Sequence, residues 1–110
     1  MTELTSCKEL LIELSKTLNA ENARGLNADI LFVFSGSEKG EYYLHIENGK
    51  CTLHTGSLDY ARLTIRVDAD VWRDIQSGKI PWSEAMMQRK FMATGNFPLL
   101  AKLPQLFKLD

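Results

Sequence analysis

From residue 41 to residue 67 the chain alternates apolar and polar residues, and this two-residue period is what most narrows its fold. EYYLHIE sets Tyr42, Leu44 and Ile46 against Tyr43, His45 and Glu47. KCTLHTG sets Cys51 and Leu53 against Thr52 and His54, and ARLTIRVD sets Leu63, Ile65 and Val67 against Arg62, Thr64 and Arg66. A period of two with one polar face marks an antiparallel sheet covered on one side only. Asn48-Gly49 predicts a type I′ hairpin turn between the first two of these segments. Upstream, ADILFVFSG is rich in β-branched and aromatic residues and adds a strand that stops at Gly36, with GSEKG (residues 36–40) as a looser turn after it.

Helical periodicity frames the strands. Leu10, Leu11, Leu14 and Leu18 predict an amphipathic helix over Thr5–Leu18, and the polar stretch Asn19–Asn27 reads as a linker. After Val67, Asp68 or Asp70 caps a short helix through Val71, Trp72 and Ile75, closed by Gly78. Pro81 suits the first turn of a second short helix, PWSEAMMQR, and KFMATG follows as a fifth strand with Phe91 and Ala93 on one face. Asn96 is a good N-cap for a last helix with Pro98 in its first turn. Pro104 has no N–H for the Leu100 carbonyl, which predicts a kink or split there, with Leu106 and Phe107 tilting away as a flap. The expected fold is α+β: a two-layer sandwich, with a five-stranded, mainly antiparallel sheet covered on one face by all the helices. At 110 residues the chain reads as a single domain, 1–110.

Charge and motif content narrow the function. A formal net charge of −1 and no basic stripe argue against nucleic acid as a partner. Cys7 and Cys51 lie far apart and read as reduced thiols, Cys51 on the inward face as a small buried hydrophobe. MTELTSCKELL lacks the apolar stretch of a signal peptide, and no apolar run nears the roughly 18 residues of a membrane span, so a cytoplasmic location is expected. His45 and His54 should lie on the polar sheet face as diagonal neighbours, with Glu41 and Glu47 on the same face. An open face lacks the sheltered third ligand of a catalytic zinc site. No GxSxG, P-loop or GxGxxG is present, so no cofactor, metal or catalytic residue is assigned.

The second half is unusually apolar. Val71, Trp72, Ile75, Ile80, Trp82, Met86, Met87, Phe91, Met92, Phe97, Leu99, Leu100, Leu103, Leu106 and Phe107 fall within 37 residues. Methionine concentrates where a surface must accept varied apolar shapes. This inventory fits either a closed core or a cavity for an apolar ligand between helices and sheet.

The run DADVWRDIQSGKIPWSEAMMQRKFMATGNFPLLAKLPQLF resembles the C-terminal half of the sterol carrier protein 2 (SCP2) domain. The shared features are the acidic helix start at Asp68, Gly78-Lys79, Ala85-Met86-Met87, the strand Lys90 to Thr94, Gly95-Asn96 and the apolar helix from Leu99. YYLHIENGK resembles the family's aromatic hairpin, and the likeness runs from about Leu10 to Phe107. It implies a small stand-alone prokaryotic member with a tunnel between sheet and helices. It also implies non-enzymatic binding or transfer of fatty acid, acyl-CoA, phospholipid or another lipid. Transferred to this chain, the lining is Phe32, Phe34, Leu44, Ile46, Leu63, Ile65, Val67, Trp82, Met86, Met87, Phe91, Leu99, Leu100, Leu103 and Phe107. The likeness carries a second expectation, an accessory protein that assists a lipid or quinone biosynthetic complex. Three departures stand out. Arg89 replaces a usual Gly. Met92 replaces a polar residue and, with Leu31 and Val33, suggests an outer apolar patch for a homodimer. The Lys108-Leu109-Asp110 end is not a peroxisomal signal. Transient membrane contact is expected of any lipid carrier of this kind.

Overall fold

In the computed structural model, which describes residues 6–109, the alternating segments become strands β1 (Ala28–Ser35), β2 (Gly40–Glu47), β3 (Lys50–Thr55), β4 (Leu63–Asp68) and β5 (Phe91–Gly95). They form one sheet in the order β3-β2-β1-β4-β5. The β2–β3 hairpin turns through Asn48 and Gly49 at φ 53° and 73°, the paired positive values that a type I′ turn demands. Its register places His45 opposite Thr52 and His54 opposite Tyr43, as expected. The sheet is mixed, because β1 and β4 at its centre run parallel while the other three pairings are antiparallel. Side-chain alternation reports which face is buried and is blind to the partner's direction.

Four helices accompany the sheet: α1 (Cys7–Ser15), α2 (Ala69–Gln76), α3 (Trp82–Met87) and α4 (Phe97–Leu106). Side-chain caps start three of them. Ser6 accepts from Glu9 N–H at 3.1 Å, Asp68 from Asp70 N–H at 2.8 Å, and Asn96 from Leu99 N–H at 3.0 Å, each satisfying an orphan first-turn donor. The expected start of α1 at Thr5 lies outside the described residues. The helix stops at Ser15, short of Leu18. Ser15 and Thr17 hydroxyls donate to the Ile12 and Leu14 carbonyls, a local side-chain alternative to continuing the helix.

Inward-facing Ile30, Phe32, Phe34, Leu44, Ile46, Leu63, Ile65 and Val67 pack with Leu11, Leu14, Trp72 and Ile75 from the helices, and all are buried. The helices therefore cover the one apolar face. Two expectations are corrected here. Residues 19–27 are not a loose linker: Asn19 N–H donates to the Leu106 carbonyl at 2.8 Å, Asn22 Nδ2 to the Gln105 carbonyl at 2.8 Å, and Ala23 is fully buried. The segment is the seat on which α4 ends. For the same reason Leu106 and Phe107 are not a flap. Despite Pro104, α4 runs unbroken to Leu106, Phe107 N–H donates to the Leu103 carbonyl, and both side chains are buried. Apolar burial and the docked 19–27 segment outweigh the one backbone bond that proline removes.

Candidate functional site

The layers part at one margin of the sheet. Strand β5 pairs only with β4, so its other edge is open among the described residues. Before β5, α3 is just six residues long and is pinned by Trp82, whose ring stacks on Phe91 at 5.0 Å. After β5, Gly95 takes φ 110°, and a side chain there would run into the Arg62 carbonyl; this close approach lets Asn96 N–H reach Arg62 O at 2.8 Å and launches α4. Between the end of α3, the edge of β5 and the first turns of α4 lies an open groove of about 450 Å³. It is lined by Met86, Arg89, Phe91, Met92, Ala93, Phe97 and Leu100.

Three of the five large apolar side chains exposed among the described residues line this groove, Met86 (37% exposed), Met92 (68%) and Phe97 (59%), and a fourth, Met87 (84%), follows Met86 in the chain. Full burial of such a side chain is worth about 1.5–3 kcal/mol, and each forgoes the share that stays exposed, so an apolar cluster of this kind marks a contact surface. A second, larger recess of about 650 Å³ borders Asp29, Arg62 and Asn96 at the start of β1. Its charged and amide side chains suit water better than hydrocarbon.

Of the fifteen lining residues expected from sequence, twelve belong to the core between the layers, and Phe91 packs half-buried against them. Phe91 and Leu100 reach the groove wall from that core. Met86 also lines the groove, from an exposed position, while Met87 is solvent-facing beside it; neither faces the interior, because the short α3 turns only Trp82 and Ala85 inward. Sequence reasoning missed Ala93, Phe97, Met92 and Arg89 as wall residues. Phe97 carried a signal: it sits three residues before Leu100, on the same helical face. The outer patch of Leu31, Val33 and Met92 is not continuous. Arg66 stands between Val33 and Met92 in the register, and Leu31 is buried.

The polar groups lie elsewhere. On the outer sheet face His45 Nδ1 is 2.6 Å from Asp29 Oδ1, and its Nε2 is 3.5 Å from Glu47. The bond to Asp29 raises the His45 pKa above its ordinary value. His54 stacks on Tyr43 at 4.9 Å and meets Thr52 Oγ1 at 2.9 Å. Among the described residues no group of three His, Cys, Asp or Glu side chains is placed to hold a metal. Burial pushes the Cys51 thiol up to about 12; burial first, then the Glu38 carboxylate, pushes Cys7 to about 11. Both thiols are protonated at neutral pH and make poor nucleophiles. No helix among the described residues is long and apolar enough to cross a membrane.

A mixed five-stranded sheet with helices on one face and an apolar groove at its margin defines an SCP2-type α+β domain. The model of the SCP-2 sterol transfer family matches residues 8–108, and the chain belongs to that family. Among solved structures, palmitated SCP2L2 from Aedes aegypti superposes with a TM-score of 0.74 at 15% identity, over 92% of this chain and 93% of that one. Sterol carrier protein 2 from Aedes aegypti in complex with palmitate gives 0.60 at 20% identity, over 99% and 100%. A mutant of the sec-alkyl sulfatase PisA1 gives 0.82 at 22% identity over 94% of this chain, which spans only 16% of the sulfatase. At these identities the likenesses establish the fold. No curated protein sequence matches the chain.

Proposed function

We propose that this protein binds and transfers a lipid with at least one alkyl chain, without catalysing a reaction, and that the groove beside β5 is where the chain enters. One observation carries the reading. The groove has apolar walls that continue through Phe91 and Leu100 into the layer between sheet and helices. A chain laid there would gain about 0.8 kcal/mol per buried CH₂ with little demand on headgroup identity. The deeper residues expected from sequence, among them Ile65, Val67, Leu99, Leu103 and Phe107, would line the interior that the chain reaches as α4 eases from β5. Family membership and the two palmitate-bound mosquito relatives support this reading.

Exposed Met87, Met92 and Phe97 at the groove's rim would rest briefly on a donor or acceptor membrane, with Arg89 and Lys90 beside them. The test is delipidation followed by titration with fatty acids of 8 to 18 carbons (~2–3 kcal/mol gained per few CH₂ until the groove is full). Trp82, stacked against the groove wall, supplies the fluorescence signal. Saturable binding that tightens with chain length supports the carrier; no saturable response at any length removes it. In the sulfatase a similar fold makes up a small part of a longer enzyme chain, which favours a second reading, an accessory module that works beside a larger enzyme. Native mass spectrometry separates the two: co-purified lipid favours the carrier, and stoichiometric protein partners favour the module.

A further inference from the structure

We infer that Arg89 is the anion anchor of the groove, so that the preferred ligand is a single-chain amphiphile with a negatively charged head. The inference rests on the lipid-binding reading above and adds to it the ligand's charge and the residue that reads it.

The first support is stereochemical. Helix α3 ends in a Schellman motif: Arg89 N–H donates to Met86 O at 3.2 Å, and Lys90 N–H to Ala85 O at 3.0 Å. The residue after the cap in such a motif must be left-handed, which is why glycine is usual there. Helix α2 obeys, closing with Gly78 at φ 86°. Helix α3 instead holds Arg89 at φ 52°, one of only two non-glycine residues with positive φ among those described. The other, Asn48, belongs to a residue type that tolerates this region; arginine gains nothing from it. A strained arginine where glycine fits better points to a use for its side chain.

The second support is electrostatic. Arg89 is the one charged residue in the groove wall, and no acid lines it. It is exposed and makes no ion pair among the described residues. The nearest acid in sequence, Glu84, is engaged by Gln88 Nε2 at 2.8 Å. Lys90 follows directly, and from residue 82 to 106 Glu84 is the only acid against Arg89, Lys90 and Lys102, in a chain that is net negative. An oxyanion at the α3–β5 turn would take the guanidinium's paired donors, with the alkyl chain running against Phe91, Ala93, Phe97 and Leu100. Carboxylate and phosphate heads share this chemistry.

The experiment titrates the delipidated protein, below each micelle threshold, with dodecanoate, dodecyl phosphate, dodecan-1-ol and dodecyltrimethylammonium. The two anions are expected to bind about tenfold tighter than the alcohol, and the cation weakest. Arg89→Gln should erase the difference between anion and alcohol by weakening the two anions about tenfold, and Arg89→Lys should restore most of it. Arg89→Gly, which suits the backbone, guards against misfolding and should behave as Arg89→Gln does. Equal binding of anions and alcohol by the unaltered protein, or an Arg89→Gln variant that still prefers anions, overturns the anchor and leaves the carrier standing. If none of the four amphiphiles binds, the carrier reading falls and the anchor with it. A preference for one anion over the other identifies the head.

Discussion

The two margins of this sandwich are built from the same alternating strands and end differently. Toward the β3 margin, α1 packs on β2 and β3 and meets α2 over the middle of the sheet. Phe32 lies 5.1 Å from Trp72 and 6.2 Å from Phe34, and Cys7, Leu11 and Leu14 of α1 are buried behind them. Polar contacts fasten this side as well. The Glu38 carboxylate takes the Cys7 N–H that opens α1, Arg73 of α2 pairs with Glu38, and Arg73 also holds Asp70 at 2.8 Å. On the β5 side the six-residue α3 and the first turns of α4 do the covering, and they leave Met86 and Phe97 in solvent. Inward-facing residues therefore become core only where enough helix lies opposite them; where helix runs short, the same pattern makes a groove.

Truncation should separate the two margins most sharply. Trp72→Ala removes a fully buried indole and should cost about 3–5 kcal/mol in urea unfolding. Phe97→Ala, on the open side, should cost less than about 1 kcal/mol, yet weaken binding of long-chain fatty acids several-fold. If Phe97→Ala destabilises as much as Trp72→Ala, the groove is core and the contrast is void. Filling the gap makes the complementary case. Ala93→Leu, from the groove floor, should leave the unfolding free energy within about 1 kcal/mol of the parent and abolish ligand binding. A variant that still binds would place the ligand elsewhere.

How much of this could be read from the sequence follows from what each signal measures. Strand periodicity, the Asn48-Gly49 turn and the cap at Asn96 are local and appear where expected, and of the two acids that could cap α2 it is Asp68 that does. The parallel β1–β4 pairing is a long-range choice on which alternation is silent. Pro104 shows the limit of a local rule: it predicted a break, but α4 is held by tertiary contacts, from Asn19 and Asn22 and from burial of Leu103, Leu106 and Phe107. The candidate site was half legible. The surplus of apolar residues after Val71 was visible, and the surplus proved to be Met86, Met87, Met92 and Phe97. Their clustering at one margin depends on how short α3 is and where β5 sits in the sheet.

A smaller effect, of opposite sign, comes from the α3–β5 turn. Arg89→Gly should stabilise the fold by about 0.5–1 kcal/mol. It relieves the left-handed arginine, partly offset by the extra freedom of glycine in the unfolded chain. The same variant should lose anion preference, so stability and binding would move in opposite directions at one residue. Thermal unfolding and dodecanoate titration of one preparation read both. No gain in midpoint would mean that the turn carries no strain, and the two margins would then differ in covering helix alone.

The least effect is expected on the outer face, where neither margin's packing reaches. The Asp29 hydrogen bond raises the His45 pKa above 6.5, with Glu47 adding to it. A raised folded-state value means that the charged pair stabilises fully below about pH 6.5, and that this contribution fades as pH rises through the folded value. Both side chains are about one-third exposed, so solvent screens the pair and the stability change should be slight. Asp29→Asn should bring the His45 titration, followed by the NMR shift of its ring protons, back toward 6.5. It should narrow the stability difference from the parent as pH rises. If His45 titrates at its ordinary 6.5 in the unaltered chain, the Asp29 contact does not persist in solution, and the outer face is as loosely held as the groove rim.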